Sequence, residues 1–109
     1  MKWLLALALL SVPALAQAPS ASFCYDLAST ATLVLDNIPT CDGTITVFME
    51  FNGSSHDITS GMTDLTPPHM EGRFSFPAGP GVCGNNVTIR VKCNNVTIAT
   101  INTTINCNC

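Results

Sequence analysis

Two stretches of the chain alternate apolar and polar residues with a period of two. In Thr44-Ile45-Thr46-Val47-Phe48-Met49-Glu50-Phe51-Asn52, Ile45, Val47, Met49 and Phe51 share one face. Thr44, Thr46, Glu50 and Asn52 take the other, and Phe48 is the exception. In Asn86-Val87-Thr88-Ile89-Arg90-Val91-Lys92-Cys93 the alternation is unbroken, with Val87, Ile89, Val91 and Cys93 inward. Successive strand residues point to opposite faces, so both stretches predict half-buried β-strands rich in β-branched and aromatic residues. Asn52-Gly53 closes the first and predicts a type I′ hairpin into Ser54-Ser55-His56-Asp57-Ile58. Asn94-Asn95 predicts a tight reversal from the second into a last strand, Val96 to Ile105. The apolar parity of that strand slips between Ile98 and Ile101, which predicts a bulge.

Less regular strands are expected at Phe23–Leu27, Ala31–Asp36 and Gly72–Phe76, with Pro67-Pro68 and Pro77-Ala78-Gly79-Pro80-Gly81 as loops. Apolar spacing of three and four with a cap, the mark of a helix, is nearly absent. Seven or eight short strands divided by Gly, Pro and Asn turns predict an all-β domain, a small two-sheet antiparallel β-sandwich stapled by disulfides. In strand number and length this plan resembles immunoglobulin-like and fibronectin-III-like domains. It departs from them in lacking a central-strand Trp and a cysteine pair spaced to bridge two central strands.

The first sixteen residues read differently. Lys2 precedes an apolar run, Trp3 to Val12, which ends at Pro13-Ala14-Leu15-Ala16. A positive start, a short apolar core and a small-x-small end predict a cleaved secretory signal, with the cut after Ala16. The run falls short of the roughly 20 apolar residues needed to span a bilayer, so no membrane insertion is expected after cleavage. The expected organisation is therefore a signal at 1–16, a short lead at 17–21 and one domain at 22–109.

Export changes the meaning of the remaining composition. Residues 17–109 carry three basic residues (Arg73, Arg90, Lys92) against seven acidic ones, a net charge of −4. With no basic patch, neither nucleic acid nor an anionic membrane is an expected partner. All six cysteines, Cys24, Cys41, Cys83, Cys93, Cys107 and Cys109, follow the leader. An even number in a short exported chain predicts three disulfides, worth about 2–4 kcal/mol each to a small domain. Six cysteines allow about fifteen pairings. Cys107 and Cys109 are too close to pair without strain, so one is expected to reach Cys24, and Cys41 is expected to pair with Cys83. Four N-x-[ST] sequons, at Asn52, Asn86, Asn95 and Asn102, make N-glycosylation the expected means of keeping so uncharged a surface hydrated.

Candidate chemistry is sparse. His56-Asp57 beside Ser54 and Ser55 invites a hydrolase reading, but strand neighbours point to opposite faces and cannot orient each other. His69 reads as a loop residue, the acids lack metal-ligand spacing, and Gly79-Pro80-Gly81 lacks the helix that a phosphate site needs. No catalytic residue, metal or cofactor is expected. The Val87–Ile105 stretch, low in charge and free of Pro, is either interior to a sheet or an edge meant to pair. The leading expectation is a secreted, glycosylated, non-enzymatic structural or adhesive module, with extracellular protein, carbohydrate or copies of itself as partner. The alternatives are a soluble binding protein using Pro67–Glu71 or Pro77–Gly81, and a small secreted hydrolase.

Overall fold

A computed structural model of the protein describes residues 17–109, and the expected signal at 1–16 lies outside the described residues. Eight strands follow in chain order: β1 (Ser20–Tyr25), β2 (Thr30–Asp36), β3 (Ile45–Phe51), β4 (Ser54–Asp57), β5 (Met62–Asp64), β6 (Met70–Ser75), β7 (Asn86–Cys93) and β8 (Val96–Asn106). Helix among the described residues is confined to two three-residue 3-10 turns, Thr59–Gly61 and Pro80–Val82. The first strand begins at Ser20, inside the expected lead, and Leu27 falls in the turn that follows it. Strand β5 was not expected, because three residues are too few to display alternation.

Both predicted reversals form. Asn52 and Gly53 take φ of 53° and 78°, and Asn94 and Asn95 take 51° and 68°, the left-handed geometry of two-residue hairpins. The expected bulge is also present: Val91 pairs with Ala99 and Lys92 with Thr97, which leaves Ile98 without an opposite number. Phe48, the residue out of phase, lies on the outer face under the Lys92 ammonium, 4.7 Å from its ring centroid.

The two-sheet sandwich is corrected to one continuous eight-stranded sheet, in the order β4-β3-β7-β8-β1-β2-β6-β5, curled into a half-barrel. Continuity comes from β8. Its eleven residues pair antiparallel with β7 from Val96 to Thr104 and then parallel with β1, at Phe23↔Ile105 and Cys24↔Asn106. That parallel contact also departs from the all-antiparallel expectation. Of the two readings of Val87–Ile105, the interior one holds and the pairing edge does not, since β7 lies between β3 and β8, and β8 between β7 and β1.

Curling brings the inner faces of both halves into one apolar cluster. Leu33, Leu35, Val47, Ile89 and Val91 are fully buried in it, and the inner face carries no buried polar side chain. Phe76 is the hub at one end. Phe23, Tyr25 and Phe51 meet it edge-on with centroids 5.3, 5.1 and 5.5 Å away, the geometry favoured by the ring quadrupole.

Three disulfides close the fold, and no free cysteine remains. Cys24–Cys109 ties the tail to β1 as expected. The expected Cys41–Cys83 bridge is replaced by Cys41–Cys93 and Cys83–Cys107. Register explains the exchange. Cys93 ends β7 opposite Ile45, next to the loop that carries Cys41. Cys83 lies beside the tail because Gly84 donates to the Ile105 carbonyl and Ile105 to that of Asn85.

Leu33→Ala is expected to cost about 2–5 kcal/mol in urea unfolding, as for a fully buried leucine whose site cannot collapse; a loss below about 1 kcal/mol would contradict the single core. Leu27 holds φ of 67° with a half-exposed side chain in the β1–β2 turn. A β-carbon costs about 1–2 kcal/mol there, whereas glycine's extra chain entropy costs about 0.5–1. Leu27→Gly should therefore leave stability unchanged or raise it by up to about 1 kcal/mol.

Candidate functional site: an apolar groove at the seam of the half-barrel

The two edges of the sheet, β4 and β5, do not pair with each other. The chain crosses between them through Ile58–Gly61. Ile58 donates to the Val47 carbonyl, and the Val47 N–H donates to the Thr59 hydroxyl at 2.9 Å, which anchors the crossing to β3. Beyond it the chain presses onto β6. A β-carbon on Gly61 would stand 2.5 Å from the Arg73 carbonyl oxygen, and one on Gly72 2.5 Å from the Met62 Cα, so only glycine permits this approach. Register then slips within β5, between Met62 and Asp64. Pairing of β5 stops at Gly72, and the end of β6 is left without a neighbour on that side.

The result is an open groove of about 560 Å³ between β4 and the end of β6. Met49, Phe51, Ile58, Phe74, Phe76 and Pro77 supply apolar wall, while His56, Asp57, Ser60 and Ser75 supply polar groups. One wall is fixed by the loop after β6. The Phe76 N–H donates to the Ser29 carbonyl, and the Gly79 N–H to the Tyr25 hydroxyl at 2.8 Å. The Pro77–Gly81 loop, a candidate contact from sequence, contributes Pro77 and Ala78 to the lining. Pro67–Glu71, the other candidate, does not reach it.

His56 and Asp57 are consecutive and exposed on β4. Asp57 turns to Thr59, whose hydroxyl and then backbone N–H hold its carboxyl below the usual carboxylate range. The carboxylate that a hydrolase would need to orient His56 is thus engaged elsewhere. No group of side chains able to hold a metal ion occurs among the described residues, and none of their helices is long and apolar enough to cross a membrane.

All four sequon asparagines are exposed. Asn52 and Asn95 sit in the two left-handed turns. Asn86 and Asn102 lie within adjacent strands, where Asn86 faces Thr104 and Thr88 faces Asn102. The Thr88 hydroxyl donates to the Asn102 side-chain oxygen at 2.8 Å. On the same outer surface Arg90 is paired with Glu50.

A further cluster escaped sequence reading. His69 donates or accepts at Nδ1 with Asp36 (2.6 Å) and at Nε2 with Glu71 (2.9 Å). Hydrogen bonds to Asp36 and then Glu71 raise its pKa from the ordinary value to about 9. Glu71 lies two residues along the chain, on the strand that His69 precedes. Asp36 arrives only through the β2–β6 register, which sets Leu35 opposite Met70.

Comparisons with family models, curated proteins and solved structures return no match to this chain.

A histidine whose pKa rises on folding stabilises the native state fully below its unfolded value near 6.5. That contribution declines as pH rises toward about 9. Thermal midpoints should therefore fall between pH 6.5 and 9 more steeply for the native chain than for His69→Gln. Because the cluster is half exposed, the difference should shrink in 1 M salt. Parallel pH profiles would show that the clamp contributes nothing.

Proposed function

We propose that the chain is a secreted, glycosylated, non-enzymatic recognition module that receives an apolar side chain of an extracellular protein partner in the seam groove. The groove itself carries this reading. Its volume lies within the range of about 300–1,000 Å³ typical of ligand sites, with a mostly apolar wall and few polar groups. Three disulfides are consistent with an oxidising, extracellular setting.

Strand order supports a finer reading of the fold. Lettered along the chain as A, B, C, C′, D, E, F and G, the strands run C′-C-F-G followed by A-B-E-D. That is the order of immunoglobulin-type sandwiches, with the turn between layers falling on the last strand. The likeness concerns connectivity and carries no function.

Assembly by strand addition, one form of the structural or adhesive module expected from sequence, fits the edges less well. Strand β4 is four residues long, all polar and exposed, and β5 is only three residues long with a register slip. Short, polar and irregular edges discourage pairing between chains. A hydrolase reading finds Asp57 committed to Thr59.

The neutral fluorophore N-phenyl-1-naphthylamine tests the groove directly. The native chain should bind one equivalent saturably. Ala78→Trp, which fills the groove from an exposed position, should weaken binding about tenfold or more, or about 1.4 kcal/mol, with an unchanged unfolding midpoint. No saturable binding, or equal binding by the variant, would sink the recognition reading.

A further inference from the structure

Glycan transfer makes one bond and breaks one. The Asn side-chain nitrogen bonds to the anomeric carbon of a polyprenyl-diphosphate-linked oligosaccharide. The bond from that carbon to the diphosphate oxygen breaks, the lipid diphosphate leaves with the electron pair, and the amide gives one proton to a base of the transferase. The transferase must receive the amide and the hydroxyl two residues on together, from a backbone free to bend into it. Sequons therefore belong in surface loops.

Two of the four sequons meet this condition in the folded domain. Asn52-Gly53-Ser54 and Asn95-Val96-Thr97 start in two-residue turns, and all six residues are exposed. The other two do not. Asn86-Val87-Thr88 and Asn102-Thr103-Thr104 lie in β7 and β8 and pair antiparallel with each other; Thr88 also pairs with Glu50 of β3, and the ladder of β8 with β1 begins at Ile105, directly after the second sequon. Val87 is buried between Asn86 and Thr88, which pins the backbone against the core. The hydroxyl that Asn86 would use, on Thr88, is donated instead to the amide oxygen of Asn102, so one hydrogen bond occupies both sequons. Bending either into an enzyme requires opening interior strands, which costs nearly the free energy of global unfolding. The disulfides Cys41–Cys93 and Cys83–Cys107 attach the end of β7 and the segment after β8 to neighbouring loops and raise that cost.

We propose that the four sequons divide in two: Asn52 and Asn95 accept glycan on the folded domain, whereas Asn86 and Asn102 accept it only before β7 and β8 pair. Occupancy of the outer face of β7 and β8 is then set by a race between transfer and sheet closure. Two glycans there would sit on diagonal neighbours about 7–8 Å apart, turning that face into a sugar-covered surface. This inference rests on the reading of the chain as a secreted glycoprotein, and the test separates the two.

The chain is produced without glycan, in oxidised form and in reduced, alkylated form, and each is given to purified oligosaccharyltransferase with lipid-linked oligosaccharide. Glycopeptide mass spectrometry reads each site. The alkylated chain should accept glycan at all four positions. The oxidised chain should accept it at Asn52 and Asn95 at comparable rates, and at Asn86 and Asn102 about a thousandfold more slowly or not at all, as the cost of opening interior strands requires. Comparable transfer to Asn86 or Asn102 in the two forms overturns the proposal, and so does failure of Asn52 and Asn95 in the oxidised form. Glycopeptide mapping of the natively secreted protein tests the glycoprotein reading by itself: bare asparagines at all four positions would refute that reading whatever the purified transferase does.

Discussion

The structure depends on β8 holding two neighbours at once. Along most of its length it completes the β3–β7–β8 half, and at its end it turns to lie parallel to β1. Without that second pairing the two halves would be separate sheets, each with an apolar face to cover. The bulge at Ile98 adds twist early in the strand. The Thr103 hydroxyl reaches the Ala21 carbonyl at 3.1 Å just before the partner changes. Two disulfides reinforce the same region, since Cys24 stands beside Asn106 in the ladder and Cys107 follows directly.

A sheet continuous on one side must be open on the other. The seam between β4 and β5 is the geometric counterpart of the β8 junction, and the aromatic cluster around Phe76 forms its wall. Phe51 and Phe74 are only partly buried, because the strand that would cover them is absent from that side. The groove is therefore a consequence of topology, with its shape set by close backbone approach at Gly61 and Gly72. Its polar groups lie on β4, on the crossing segment that follows and, at Ser75, on the end of β6.

Surface chemistry divides along the same line. The outer face of β7 and β8 holds two sequons, and beside them the ion pair of Arg90 with Glu50 and the stacking of Lys92 on Phe48. Two of the three basic residues among the described residues are thereby occupied on one face. At the opposite end of the domain from the aromatic cluster, His69 joins the end of β2 to the start of β6. Apart from the bond of His69 to Glu71, two residues along, each of these contacts joins residues far apart in the chain and follows from strand register.

Local order was legible in the residues themselves. Alternation over 45–51 and 86–93 marked β3 and β7, Asn-Gly and Asn-Asn marked their hairpins, and the slip after Ile98 marked the bulge. Side-chain period and turn stereochemistry act within a few residues, so one strand carries its own evidence. The even cysteine count made oxidation legible, and the strain of a Cys107–Cys109 bridge pointed the tail toward cysteines elsewhere in the chain, while the choice among them was not fixed by the sequence. What no window of sequence contains is which strands lie side by side. The parallel junction of β8 with β1, the exchange of Cys41–Cys83 for two other bridges, the arrival of Asp36 at His69 and the open seam were decided by packing one apolar face around a shared core. Those outcomes depend on the global minimum of buried area and satisfied backbone, which is a property of all the strands together.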